Sequence, residues 1–443
     1  MKKNNSTNTA KFESKNVTRS FTGGMLTRFA GLAPIMDFIN NLNLGFDLNE
    51  LFPTEVHNAT KFSNVQVLLA VVLASLSGIN RVIRIAAFSC DCLVMALLGL
   101  DTGLNKDVIG VRLKALGQRG AIKLQEYFFK YSKNWVSEWM SANEQEEVTL
   151  DVDSTTKIVT GNQQGAAKGY NTKKRGAKSY HPLLAFFSEA KIVLNSWFRT
   201  GSAYTSNGIC DFIEQCVALL PAGKKVFFRA DSGFFSGKLI DLLEKLGWTY
   251  LIKVKLKNLK KLLESQQWHV LENNPLIAIC EFEYKAKIWQ KKRTFRAIRT
   301  IVKWEEVEFL GTKQLAPVYE YACYCSNLEL DAYELHENYK QRSTSETWIE
   351  QVKSQLLAGA TLTDDFHAND ILWQLNVFAY NLSVMMRSPI KKIWRQEHAT
   401  FRDWFINIPA KIVQGSRMIQ MRMYKNYYFK KRWINFERIL LME

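Results

Sequence analysis

The sequence predicts an α/β fold built on a sheet that mixes antiparallel and parallel strands. Three observations carry this. From Thr149 to Lys253 the apolar pattern runs strand, strand, strand, helix, strand, helix, strand. The first of these, within Val148–Thr156 (VTLDVDSTT), alternates Leu150 and Val152 with Asp151 and Asp153, the period of two that a strand requires. On either side of this block the apolar residues recur at three- and four-residue spacing, which predicts helices.

At 443 residues the chain has room for two or three domains. Residues 1–20 are rich in Asn, Ser, Thr and Lys and are expected to be disordered until bound. They lack the apolar core of a signal peptide. Residues 21–145 form the expected helical domain, with apolar periodicity in Met36–Leu42, Val65–Leu76, Leu93–Leu98 and Ile122–Met140. The run Val65–Ile79 is shorter than the ~20 residues of a membrane span and reads as a buried helix. Within this domain Arg112, Lys114, Arg119, Lys123 and Lys130 suit either DNA binding or a solvated helix face.

After the acidic stretch Glu144–Glu147 the pattern turns to strands. Thr149–Val159 is the first. A Gly- and Lys-rich loop follows, Gly161–Lys178, carrying Lys173, Lys174 and Arg175. Then come His181–Phe187 and Ile192–Arg199, joined by the turn Ser188–Lys191. A helix over Thr205–Leu220 ends at Pro221-Ala222-Gly223, and the strand Lys225–Ala230 runs straight into Asp231. Gly237–Leu246 is a helix and Thr249–Lys253 a strand. A three-stranded meander followed by alternating helices and strands is the ribonuclease H-like arrangement. That arrangement expects one acid on the first strand and a second at the end of the fourth. Asp153 and Asp231 stand at those places.

The catalytic domain is expected over residues 146–387, with a β-rich insertion at about 255–325. Asp331–Leu357 reads as one long amphipathic helix, and Asn369–Met386 as a strongly apolar one. Residues 388–443 form a basic helical tail. From Arg387 onward it holds 13 Lys and Arg against 4 acids, interleaved with Trp394, Trp404, Tyr424, Tyr427, Tyr428 and Trp433. Basic residues among aromatics suit nucleic-acid contact, and a helical packing appendage with a solvated basic face is the equal alternative.

Net charge narrows the partner. The chain carries 59 Lys and Arg against 42 Asp and Glu, a formal +17, which points to a polyanion, nucleic acid first. The seven cysteines, Cys90, Cys92, Cys210, Cys216, Cys280, Cys323 and Cys325, are odd in number and lack zinc-ligand spacing. They read as reduced core residues of a cytoplasmic protein. A glycosidase built on a carboxylate pair would give the basic excess no role.

The helix at Asp331–Leu357 holds Tyr339, Arg342, Glu346 and Lys353, the pattern Y-x2-R-x3-E-x6-K. Arg342 and Glu346, four apart, share a face. Such a face can hold a metal and phosphate oxygens together, or can be an exposed salt bridge. The pattern resembles the signature around the third acid of the IS4-like DDE transposases. In order, LDVDST, GAAKGYN, SYHPLLAF, FRADSGF and YKQRSTSETWIEQVK resemble the IS1380 family, from about Thr149 to Arg387. The stretch Ser343-Thr344-Ser345 departs from the Gly-Glu-containing form more usual there.

The resemblance implies a cut-and-paste DNA transposase with Asp153, Asp231 and Glu346 as catalytic, metal-holding acids. It places the first acid at Asp153, leaving Asp151 as a supporting or solvated residue. Two Mg²⁺ or Mn²⁺ ions are expected, and hard carboxylate oxygens suit them. Tyr339, Arg342 and Lys353 would contact DNA phosphates, with Lys173, Lys174 and Arg175 assisting. Trp289 and Trp304 are the candidates for stacking on a flipped base, or are packing residues of a hairpin. The partners expected are double-stranded DNA, at the terminal inverted repeats and the target, and a second copy of the chain in the DNA complex; no membrane is expected. The competing readings are a nuclease of the same fold without strand transfer, and a DNA-binding protein that has lost catalysis.

Overall fold

A computed structural model describes residues 20–21, 23–54, 61–79, 81–169, 176–309, 312–360, 363–415 and 418–442. Its centre is a mixed nine-stranded sheet. The strands are β1 (Glu147–Ser154), β2 (Leu183–Phe187), β3 (Ile192–Trp197), β4 (Lys225–Ala230), β5 (Thr249–Lys253), β6 (His269–Leu271), β7 (Asn274–Tyr284), β8 (Arg293–Phe309) and β9 (Thr312–Ser326). Their order across the sheet is β6-β7-β8-β9-β5-β4-β1-β2-β3.

β1 is central and pairs parallel with β4, which pairs parallel with β5. β2 and β3 continue antiparallel on its other side. β1 and β2 are buried along almost their whole length, as strands covered on both faces must be. The stretch expected as an insertion is fused to this sheet. β9 lies antiparallel against β5, so β6–β9 extend it rather than form a separate body.

The helices that matter here are α1 (Leu32–Asn41), α2 (Asn64–Leu76), α3 (Lys106–Ala142), α4 (Ile209–Leu219), α5 (Gly237–Lys245), α6 (Ala332–Lys340), α7 (Ser343–Glu350), α8 (Phe366–Arg387) and α9 (Lys430–Met442). α8 is apolar almost all round and buried almost end to end, which marks it as the axis of the core. It meets α2 and α3, with Phe128 of α3 stacked on Phe378 at 3.8 Å between ring centroids. The free edge of β3 is closed by one α8 side chain. Asn381 accepts from the Val193 N–H at 2.9 Å and donates to the Val193 carbonyl at 2.8 Å. The apolar run around α2 is a buried helix behind a Ser63–Gln66 capping box. Among the described residues no helix is long and apolar enough to cross a membrane. All seven cysteines are free thiols.

Two expectations change. The segment after Arg387 is not all helix but includes a hairpin, and it packs into the core as the packing alternative expects. Phe401, Phe405, Trp433, Phe436 and Leu440 are buried, and α9 packs on α1. The hairpin Ala410–Gln414 and Ile419–Met423 pairs with the strand Leu26–Thr27, and the Ala30 N–H donates to the Ile408 carbonyl. At Gly31 a Cβ would lie 1.6 Å from the Phe405 carbonyl oxygen, so only glycine lets the two ends of the chain meet there. The aromatic spacing buries one face of the tail, and Lys411, Lys425, Lys430 and Lys431 stand exposed on the outside.

The second change is in Asp331–Leu357, which is not one helix. α6 stops at Lys340, α7 starts at Ser343, and Gln351–Gln355 continues as a wider π turn. The local cause is hydroxyl competition with the helical ladder. Thr344 Oγ1 donates to the Gln341 carbonyl and Ser345 Oγ to the Arg342 carbonyl, both at 2.7 Å. The backbone tightens to three-residue hydrogen bonds over the same stretch.

Candidate active site

Asp153 leaves the carboxyl end of β1, and Asp231 follows β4. Val152 and Ala230 are paired residues on these parallel strands, so the next residue on each is an acid and the two stand side by side. Asp231 is held by its own turn, accepting from the Gly233 N–H at 2.9 Å. Asp153 accepts from the Ser154 N–H at 2.8 Å. Glu346 arrives from α7 on the far wall. The three acids line one cleft of about 910 Å³ with Arg342, Tyr339, Lys253, Lys340 and Lys353.

Arg342 stands among the acids. Its Nη2 lies 2.8 Å from Asp153 Oδ2 and its Nη1 3.8 Å from Glu346 Oε1. The first contact is a charge pair without hydrogen-bond alignment: Nε and Nη2 are buried and have no acceptor. Burial pushes the Asp153 carboxyl up to about 6, Arg342 opposes the rise, and the Asp231 charge adds to it. Burial likewise pushes the Tyr339 hydroxyl up to about 12, against Arg342. Burial lowers His181, whose Nδ1 is 2.7 Å from the Ala203 carbonyl, and His336, whose Nδ1 is 2.8 Å from the Tyr324 hydroxyl.

The donor chemistry suits a hard divalent cation, since the acids in the cleft are carboxylates and no thiol lines it. Among the described residues, no three His, Cys, Asp or Glu side chains already converge on one coordination point. The guanidinium of Arg342 occupies the space between Asp153 and Glu346 instead.

The remaining expected residues lie elsewhere. Asp151 is fully buried and receives Arg229 Nε at 2.7 Å, Arg229 Nη2 at 2.8 Å and the Ser188 hydroxyl at 2.5 Å. It is neither solvated nor turned to the cleft. Trp289 is buried against Phe235, Tyr284 and Phe295, with the Arg293 guanidinium 4.7 Å above its ring. Trp304 is half exposed on β8, and neither tryptophan lines the cleft. Lys173, Lys174 and Arg175 lie outside the described residues.

Sequence reasoning missed Arg229, which also donates Nη1 to the Asn338 carbonyl at 3.0 Å and so ties the sheet to α6. The one available signal was an arginine inside an apolar strand, KVFFRA. It also missed Lys253, which ends β5, and His181, two residues before β2, both of which line the cleft.

Residues 9–440 match the family model for "Transposase DDE domain group 1". No curated protein matches the sequence at a significant level. Among solved structures, a piggyBac transposase synaptic complex with hairpin DNA aligns at 12% identity, over 84% of this chain and 78% of that one, with a TM-score of 0.46. A pre-cleavage Mos1 transpososome aligns at 10% identity, over 44% and 60%, with a TM-score of 0.18. A Mos1 mariner paired-end complex with Mn aligns at 11% identity, over 48% and 65%, with a TM-score of 0.17.

Proposed function

The chain belongs to the DDE-domain transposases of group 1 and is a DNA transposase; from that premise we propose that it works by cut and paste, with Asp153, Asp231 and Glu346 as its three acids. The observation that carries the assignment is that two neighbouring parallel strands and one facing helix bring these acids into a single cleft with a cationic rim. The strand order β3-β2-β1-β4-β5 supports a ribonuclease H-like core. The ordered motifs from LDVDST to YKQRSTSETWIEQVK support IS1380 membership within the IS4-like group.

Water attacks a phosphodiester at the element end and frees a 3′-hydroxyl. That hydroxyl then attacks a phosphodiester of the target, so each in-line step exchanges one P–O bond for another. Bound to the three carboxylates, two Mg²⁺ or Mn²⁺ ions would activate the attacking oxygen and stabilise the leaving one. The chain's own cations hold the DNA. Arg342, with two buried N–H groups lacking acceptors, is poised to take phosphate oxygens. Lys253, Lys340 and Lys353 on the same rim neutralise the neighbouring backbone, and Tyr339 packs beneath Arg342 and Lys253. Lys173, Lys174 and Arg175 are assigned to the same DNA on sequence grounds. The DNA-bound form is a homodimer on paired ends.

The test is Mg²⁺- or Mn²⁺-dependent cleavage of the DNA flanking this gene, with the ends mapped and joined products sought. Cleavage that leaves a 3′-hydroxyl and never joins it to a second DNA would favour the nuclease reading.

A further inference from the structure

β8 and β9 outrun the sheet that holds their bases. β7 accompanies β8 only as far as Thr300, and β5 accompanies β9 only over Leu251–Lys253. From Lys303↔Val318 to Phe309↔Thr312 the two strands form their ladder with each other alone among the described strands. Seven pairs at about 3.3 Å project the ribbon by roughly 25 Å. An isolated two-stranded ribbon is marginally stable in water. This one is exposed on both faces over residues 302–308 and 312–315. Val302, Trp304, Val307 and Leu315 are 54%, 53%, 41% and 68% exposed. An apolar arm held out this far needs a surface to cover it.

Its charge selects the surface. Residues 302–315 carry Glu305, Glu306 and Glu308 against Lys303 and Lys313. Both lysines are engaged within the ribbon, Lys303 with Glu305 and Lys313 with Glu306. The two pairs cancel, which leaves Glu308 and a net charge of −1 over residues 302–315 on a chain of +17, with both lysines already committed to carboxylates rather than to phosphate. What complements it is apolar and basic.

The same chain carries such a surface. Strand Ile419–Met423 is the outer strand of its three-stranded sheet, so one edge of its backbone pairs with no other described strand. Met418, Ile419, Tyr424 and Tyr428 beside it are largely exposed, with Lys425, Lys430 and Lys431 around them.

We propose that the β8–β9 ribbon of one copy docks on the Ile419–Lys431 edge of a second copy, and the reverse contact closes a two-fold dimer. This contact needs no DNA, unlike the dimer expected on paired ends.

The experiment is sedimentation velocity on the full chain without DNA, over a range of concentrations at moderate salt. A concentration-dependent dimer is expected. Trp304→Ser combined with Glu305→Lys, Glu306→Lys and Glu308→Lys should leave a monomer, as should Lys425→Glu with Lys430→Glu and Lys431→Glu. Mixing the two reversed variants should restore a heterodimer, which also shows that both are folded. Should the fourfold ribbon variant not fold, Glu306→Lys alone should weaken dimerisation at least tenfold. A wild-type chain that stays monomeric, a dimer indifferent to both sets of changes, or ribbon variants that lose DNA affinity while dimerising normally would each overturn the assignment.

Discussion

Arg229 clasps Asp151 on the adjacent parallel strand through two hydrogen bonds, with both side chains buried and the residues 78 apart in sequence. Its third contact, to the Asn338 carbonyl, fixes the end of α6 just before Tyr339. The pair thus sets the sheet-to-helix spacing on which the third acid depends. Removing one partner strands the other charge in the core. Asp151→Ala should cost about 3–5 kcal/mol in urea unfolding, and Asp151→Leu with Arg229→Met should cost much less. Equal losses for the single and double variants would show that the clasp is not the cause.

Loss of any of the three acids should stop chemistry while sparing DNA binding. Asp153→Ala, Asp231→Ala and Glu346→Ala should each lower strand cleavage by at least about 1,000-fold, the scale of removing a transition-state stabiliser. Gel-shift affinity should hold within a few-fold. Robust cleavage by one of them would remove that residue from the site.

Asp153 gives the site a pH signature. Burial raises its carboxyl from 3.8 to about 6, so the folded chain holds this proton more tightly than the unfolded one. Stability from this group is greatest below about pH 4, falls as pH rises to about 6, and is flat beyond. The whole shift corresponds to about 3 kcal/mol. Asp153→Asn should therefore melt higher than wild type at pH 8 without divalent ions, by up to that amount, and the advantage should vanish near pH 4. Added Mg²⁺ or Mn²⁺ should raise the wild-type melting temperature at pH 8 and leave the variant's unmoved. A variant that is less stable at every pH would contradict the buried-charge account.

Lys253 ends β5 on the rim of the cleft. If it meets a DNA phosphate, Lys253→Gln should weaken binding similarly across sequences and reduce the log–log salt slope by about 1. An unchanged slope would place the DNA elsewhere.

The first five strands and two of the acids were legible because each strand is a short apolar run bounded by turn residues, and Asp153 and Asp231 follow such runs directly. The partner of Asp151 was not, because a contact across 78 residues leaves no periodicity. Nor was the break between α6 and α7, which depends on hydroxyls of Thr344 and Ser345 bonding backward. In the tail the cations dominate composition and leave DNA contact and packing as equal readings. The spacing carries the packing half, since Trp433, Phe436 and Leu440 fall on one helical face and all three are buried. Trp304 looked like an aromatic awaiting a base; only the ribbon's acids, read together with its projection, turn it toward protein.

The seam at Gly31 and Phe405 has a consequence for biosynthesis. α1 and the strand Leu26–Thr27 are synthesised more than 350 residues before their packing partners, from Phe401 to Leu440. The helical domain cannot close on itself until Phe401–Leu440 is made, while strands β1 to β9 between its halves can already assemble. A polypeptide ending before Phe401 would carry Asp153, Asp231 and Glu346 and still lack the residues that pack on α1.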